Sequence, residues 1–326
     1  MNPAAALFFR RINGSSPARG KIAWARMIPF LSMHVACLGV LWVGWSWIAV
    51  ETAVTLYLAR MFAITGFYHR YFSHRSFKTS RAAQFLFGAL GTSAVQRGPI
   101  WWAAHHRHHH FRSDEPDDVH SPVRHGFLWS HMGWFMSRKH FDPDLSRVRD
   151  LLKYPELRLL DRFDVVVPSL LATAVFSLGM VLKHRAPGLE TDGWQLLVWG
   201  FFISTVAVYH ATYTINSLSH VFGSQRYDTG DSSRNNPWLA LVTLGEGWHN
   251  NHHHYPGSAR QGFYWWELDI AYYVLKLLSF IGVVWDLKPP PPLPSLRARQ
   301  VARRTAASPD GTPSSHAPLD RPRTNV

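Results

Sequence analysis

The chain contains one cysteine, Cys37, among 326 residues. That excludes an intramolecular disulfide and any multi-thiolate metal cluster, so a bound metal must be held by nitrogen and oxygen. Acids are scarce as well: 21 Asp and Glu stand against 34 Lys and Arg, a net charge of +13 with histidine neutral. Such an excess suits nucleic acid, an anionic membrane surface or an anionic substrate, and its placement decides among them. The first nine residues carry no charge and the first apolar run comes late, so no cleavable signal is expected and the first span should be retained. Formal charge is also missing from Ile28 to Val50, a length sufficient to cross hydrocarbon. With 47% hydrophobic and 14% aromatic residues, the composition is that of a protein partly in a membrane and partly outside it.

Four apolar segments are read as transmembrane helices, at about 28–50, 52–68, 165–182 and 194–213, pairing into two hairpins. Arg60 interrupts the second and should snorkel or pair within the bundle. Ala82 to Val95 is too short to span and is expected to be interfacial or buried. Tyr264 to Leu287, with Glu267, Asp269 and Lys276 spaced through it, suits an interfacial amphipathic helix better than a fifth span. Basic residues gather in the N-terminal arm, in the segment from Arg70 to Arg162 and in the tail, whereas the link 183–193 carries Glu190 and Asp192. The positive-inside rule then places both termini in the cytoplasm. The expected organisation is a basic arm over 1–27, a membrane domain over 28–287 with a cytoplasmic cap from 69–164 and 214–287, and a disordered Pro- and Arg-rich tail over 288–326.

Histidine is abundant, with 20 in the chain. WWAAHHRHHH, read as a helix, puts His106, His109 and His110 at i, i+3 and i+4, on one face. GEGWHNNHHHYP repeats that spacing with His249, His252 and His253, and HRYFSH supplies His69 and His74. These two are five apart, roughly 140° around an ideal helix, so the helix must end or distort between them, or they serve different metals. In each HxxHH triplet the adjacent pair can divide between two ions. So many imidazoles exceed the needs of one metal, and two ions are the economical reading; donor type alone leaves zinc, copper, iron and nickel open. The bland alternative is a flexible histidine-rich metal buffer, which recurrence of one spacing after a second hairpin disfavours. His34 and His210, lone on apolar spans, read as hydrogen-bonded core residues. His105, His108 and His254 read as supporting or surface groups, and His120, His125, His131, His140 and His184 have no partner at ligand spacing.

Taken together, HRYFSH, HHRHHH, NSLSH and GEGWHNNHHHYP around two hydrophobic hairpins resemble the membrane-bound acyl-CoA Δ9 (stearoyl-CoA type) fatty acid desaturases, from about Met27 to Leu287. The resemblance implies an all-α integral membrane fold of four spans with a cytoplasmic helical cap, and two iron ions as cofactor. It carries the ligand set onto His69, His74, His106, His109, His110, His220, His249, His252 and His253, with Asn216 reaching one metal through a water. It further implies an acyl chain, acyl-CoA or lipid-linked, entering a bent tunnel beneath the metals, where O2-dependent removal of two hydrogens gives a cis double bond. Trp101, Trp102 and Trp134 are candidate tunnel walls, and Arg70, Arg75, Lys78, Arg97, Arg112, Arg124, Arg138 and Lys139 could meet carrier phosphates or lipid headgroups.

No HPGG-like segment occurs, so the electrons are expected from a separate protein: a ferredoxin, a cytochrome b5 or a reductase. HHRHHH, with His105 where an animal enzyme has an acid, looks like the bacterial members, which implies a bacterial inner membrane. A membrane di-iron hydroxylase of alkane or sterol type is the competing enzyme reading, and a non-catalytic metal carrier the competing binding one. No nucleic-acid motif accompanies the basic charge, which follows membrane sidedness instead.

Overall fold

The computed structural model describes residues 21–292. Most of the expected arm over 1–27, and the tail from Leu293 onward, lie outside the described residues. The described chain is mostly helical, and three of its helices are long and apolar enough to cross a membrane: Trp47–Ser73, Val166–Arg185 and Gly193–His220, of 27, 20 and 28 residues.

The expected first span, 28–50, is interrupted. Helix α1 runs Trp24–Cys37, a single turn follows at Val40–Val43, and Gly44 then takes φ +63. Ser46 starts helix α2, Trp47–Phe62, by accepting the Ala49 N–H at 3.3 Å on its Oγ. The same hydroxyl donates to Gln195 Oε1 at 2.6 Å. The break is therefore fixed by a partner 149 residues away. The second span begins earlier than expected and continues without interruption into a π-helix, Ala63–Ser73.

Arg60 is 2% exposed and pairs within the bundle. It donates to Thr205 Oγ1 at 2.6 Å, to the Gly200 carbonyl at 3.4 Å and to Ser204 Oγ. Gly200 belongs to a second π-helical stretch, Leu197–Ile203. Widening the helix there frees carbonyl groups from strict i→i−4 pairing, and Arg60 takes up one of them.

Helix α3, Arg81–Thr92, buries Phe87, Gly88 and Gly91 against the π-helix of α2 and leaves Leu86 and Leu90 exposed. Phe67 and Phe87 stack at 3.7 Å between centroids, within a core that also holds Tyr68, Phe72, Leu157 and Leu160. Helix α4, Pro99–Arg112, carries the first histidine triplet. Helix α5, Val166–Arg185, packs against the segment Gly193–Ile203 that leads into α6, Ser204–Ser217, and α7, His249–His254, carries the second triplet.

The segment expected to be one helix over 264–287 is shorter. Helix α8 covers Ile270–Phe280, and Gly282 at φ +75 turns the chain into a two-residue strand. That strand, β2 at Val284–Trp285, pairs antiparallel with β1 at Lys78–Thr79, so the described fold is not purely helical. Lys288, expected in the tail, is held by backbone bonds to Ser76 and Ala259 at 2.8 and 2.9 Å.

Candidate metal centre

The nine histidines that share ligand spacing and motif converge in two adjacent groups. His69, His74, His106, His110 and His252 form one; His109, His220, His249 and His253 form the other, with the candidate ligand atoms of each group within 4.8 Å of one another. Adjacent residues in a helix diverge by about 100°, so His109 and His110 face different groups, as do His252 and His253.

His69 and His74 join the same group because the helix distorts between them. The N–H of His74 donates to the His69 carbonyl at 3.2 Å, an i→i−5 bond that brings residues five apart toward one side. Arg107, the residue inside HHRHHH that is not histidine, holds this wide turn. It donates to the carbonyls of Phe72 and Ser73 at 2.8 and 2.9 Å, and grips Asp150 through both terminal nitrogens at 2.7 and 3.0 Å.

The ring nitrogens facing inward are Nε2. His74 and His106 bring theirs to 2.7 Å, His252 and His110 to 2.8 Å, and His69 and His252 to 3.0 Å, while His249 and His220 meet at 3.0 Å in the second group. Burial and the neighbouring imidazoles hold His74, His106, His110, His249 and His252 well below the usual histidine range, so these rings are neutral. A neutral imidazole has a single N–H. His69 turns its Nδ1 to Glu246, which leaves its Nε2 facing the other rings. The Nε2 of His253 is buried with no hydrogen-bond partner at all.

A cation at the middle of each group would satisfy every one of these lone pairs. Two nitrogens about 2.1 Å from a common ion and at right angles to each other stand about 3.0 Å apart, the spacing found here. The donor set therefore fits one metal ion per group, held by imidazole nitrogen.

Behind the rings stands a layer of acids that spacing alone did not reveal. His109 Nδ1 bonds Asp118 at 3.0 Å and His253 Nδ1 bonds Asp231 at 2.7 Å. His220 Nδ1 lies 3.2 Å from Ser232 Oγ and 3.7 Å from Asp114. Although burial opposes it, contact with His109 keeps Asp118 below the usual carboxylate range, and His253 does the same for Asp231. Such partners fix the tautomer, leaving Nε2 for the metal, and raise ligand basicity. His120, which had no ligand partner by spacing, lies with His109 and Asp118 in a third small group.

Glu246 is held in its turn. It lies 3.8 Å from Arg70, whose guanidinium forks onto Asp269 at 2.9 and 3.2 Å. Arg70 is 1% exposed and is thereby removed from the residues that could meet carrier phosphates. The glycines of GEG have backbone reasons: Gly245 takes φ +130, and a Cβ on Gly247 would stand 2.0 Å from the Ala240 nitrogen.

Asn216 is half-buried on α6, four residues before His220, and lines a cavity of about 400 Å³. Trp101, Trp102 and Trp134 line it too, with Phe30, Met33, Phe135 and Tyr213, and it reaches His106 of the first group. His34 and His210 touch neither metal group. Their Nε2 atoms meet at 3.1 Å, and His210 Nδ1 continues to His131 at 3.0 Å, tying α1 and α6 to the turn Trp129–Gly133.

A fatty acid desaturase family model matches residues 45–280. The chain is 38% identical to an acyl-CoA 5-desaturase of Anemone leveillei, over 83% of this chain and 84% of that protein. It is 35% identical to an sn-1 stearoyl-lipid 9-desaturase of Anabaena variabilis, over 84% and 97%. It is 39% identical to a chloroplastic palmitoyl-monogalactosyldiacylglycerol delta-7 desaturase of Arabidopsis thaliana, over 80% and 67%. With the family model covering all the histidine motifs and the relatives matched over most of the chain, this protein belongs to the fatty acid desaturase family.

Proposed function

We propose that this desaturase inserts a cis double bond at the Δ9 position of a long saturated acyl chain, using a pair of iron ions, O2 and two electrons from a separate donor protein. The supporting observation is two groups of inward-facing Nε2 atoms standing over an apolar cavity that reaches one of them. Balanced, the reaction takes a –CH2–CH2– unit, O2, two electrons and two protons, and yields –CH=CH– and two waters. Iron, bound by His69, His74, His106, His110 and His252 and by His109, His220, His249 and His253, would supply the O2-derived oxidant that an unactivated C–H bond requires.

The chain's own residues do the rest. Glu246, Asp118 and Asp231 orient the rings. The indoles of Trp101, Trp102 and Trp134 surround the acyl chain and exclude water. Cavity depth below His106 selects the carbon presented, because a chain that bottoms out places one methylene pair at the metals. Asn216, at the cavity surface four residues from His220, is placed to hold a water beside the second group.

In this reading the protein crosses the membrane four times, the α1 segment adding a short fourth crossing to the three long ones. Exposed indoles at both ends support it: Trp42, Trp45, Trp47 and Trp194 at one, Trp24, Trp238, Trp265 and Trp266 at the other. The histidines and both termini face the cytoplasm, in a bacterial inner membrane. A hydroxylase would leave an alcohol. Expression in a host unable to make unsaturated fatty acids, followed by analysis of fatty acid methyl esters, tests the proposal: a 9-monoene is expected. A hydroxy acid or an unchanged profile, given iron and a competent donor, would overturn it.

A further inference from the structure

Three indoles line the cavity that reaches His106, and their neighbours differ. Trp101 stacks on Trp134 with centroids 5.7 Å apart and donates its Nε1–H to the Phe141 carbonyl at 2.8 Å. Trp134 meets the rings of His105 and His120 at 5.3 and 5.2 Å, and neither is one of the nine converging histidines.

Trp102 is placed otherwise. Its ring lies within 19° of parallel to that of His106, with centroids 5.1 Å apart, and 6.1 Å from that of His69. Both histidines belong to the first group, so among the described residues Trp102 is the cavity indole whose ring meets those of candidate ligands. Tyr68 packs against the same indole at 5.9 Å, is itself fully buried, and donates its hydroxyl to the Arg97 carbonyl at 3.1 Å. The half-buried Trp102 is therefore wedged beside His106 and stays there whether or not the cavity is filled.

Indole is the most readily oxidised of the aromatic side chains. An oxidant able to take hydrogen from an unactivated methylene can also attack it, and an empty cavity offers no methylene. We propose that Trp102 is a self-modification site, whose indole ring takes one oxygen atom when O2 is reduced with no acyl chain in the cavity. This rests on the desaturase reading above, which supplies the oxidant. Balanced, Trp102, O2, two electrons and two protons give hydroxylated Trp102 and one water: one ring C–H bond breaks, one C–O bond forms, and the second oxygen atom leaves as water. The hydroxyl gained stands in the cavity wall beside His106, so protein that reduces O2 without an acyl chain alters its own acyl site.

The test uses iron-loaded full-length protein, reduced with dithionite, desalted without air and mixed with isotopically heavy O2 in the absence of an acyl donor, so that two ferrous ions supply the two electrons. Trypsin releases the peptide Gly98–Arg107, which holds Trp101 and Trp102, and fragment masses tell the two apart. One heavy oxygen atom on Trp102 is expected. Stearoyl-CoA or distearoyl phosphatidylglycerol, whichever yields product, should lower that label about tenfold when present at about ten times its dissociation constant. Trp102→Leu should lose the label and keep its iron, and the fragment masses of the unaltered protein decide the position even if that variant loses its iron. Light oxygen only, which is adventitious oxidation, heavy oxygen on Trp101, Trp134 or elsewhere instead, no label at all, or label that persists with the cavity filled overturns the proposal even if desaturation is vigorous. Heavy oxygen on Trp102 without product from either acyl donor would instead count against the desaturase reading and leave the site assigned.

Discussion

The N–H of His74 donates to the carbonyl of His69 at 3.2 Å, and this one wide turn places both rings in a single group with His106, His110 and His252. An ordinary helix would have sent them to different sides. Arg107 maintains the turn from the facing helix α4, so the second histidine motif builds the geometry of the first.

Arg107 is accordingly a test of that dependence. Lysine cannot reproduce a guanidinium that bonds two carbonyls and both oxygens of Asp150. Arg107→Lys should cost about 1.5–3 kcal/mol of stability. It should also weaken metal binding at the group containing His74, read by thermal melting and by iron content after dialysis. A variant that melts earlier but keeps its full iron would show that the wide turn survives without the clamp.

Ligand replacements should remove metal and turnover together. His106→Ala, His110→Ala and His253→Ala are each expected to abolish desaturation and lower bound iron, measured by elemental analysis. His34→Ala should retain its iron, since His34 contacts His210 and a backbone carbonyl rather than either group. Loss of iron in that variant would mean the ligand set is wrong.

The acids behind the rings should be worth less than the ligands but still measurable. Glu246→Gln and Asp231→Asn keep the shape and remove the charge that orients His69 and His253. Each should reduce metal affinity or activity about 10–100-fold. Competition with a graded series of chelators reads this directly, and wild-type affinity in both variants would reduce these acids to packing.

Gly247→Ala probes the backbone of GEG. The added methyl carbon would meet the Ala240 nitrogen at 2.0 Å and the Asn236 carbonyl oxygen at 2.4 Å, and neither is a flexible side chain. Moving them costs about 1–3 kcal/mol. It would also displace α7, so lower thermal stability together with reduced iron content is expected.

Much of the site could be read from the residues. The i, i+3, i+4 spacing of the two triplets, and the division of each adjacent pair between two groups, follow from helix geometry alone. Other features depend on contacts distant in the chain. A π-turn differs from an α-turn by one hydrogen-bond register, and here Arg107, more than thirty residues on, helps to hold it. Asp118 and Asp231 sit in irregular segments 9 and 22 residues from the rings they orient, at no recurring spacing. The break between Val43 and Trp47 was hidden inside an uncharged run, because Gln195, which bonds the capping Ser46, belongs to another helix. In 264–287, helical composition gave way to a strand because β1 offered a pairing edge.

Nine imidazoles are expected to form two metal sites. Crystals of iron-loaded protein, measured at the iron absorption edge, would locate the metal by anomalous scattering. Two peaks are expected, one enclosed by His69, His74, His106, His110 and His252 and the other by His109, His220, His249 and His253. A single peak, or peaks away from these nitrogens, would contradict it.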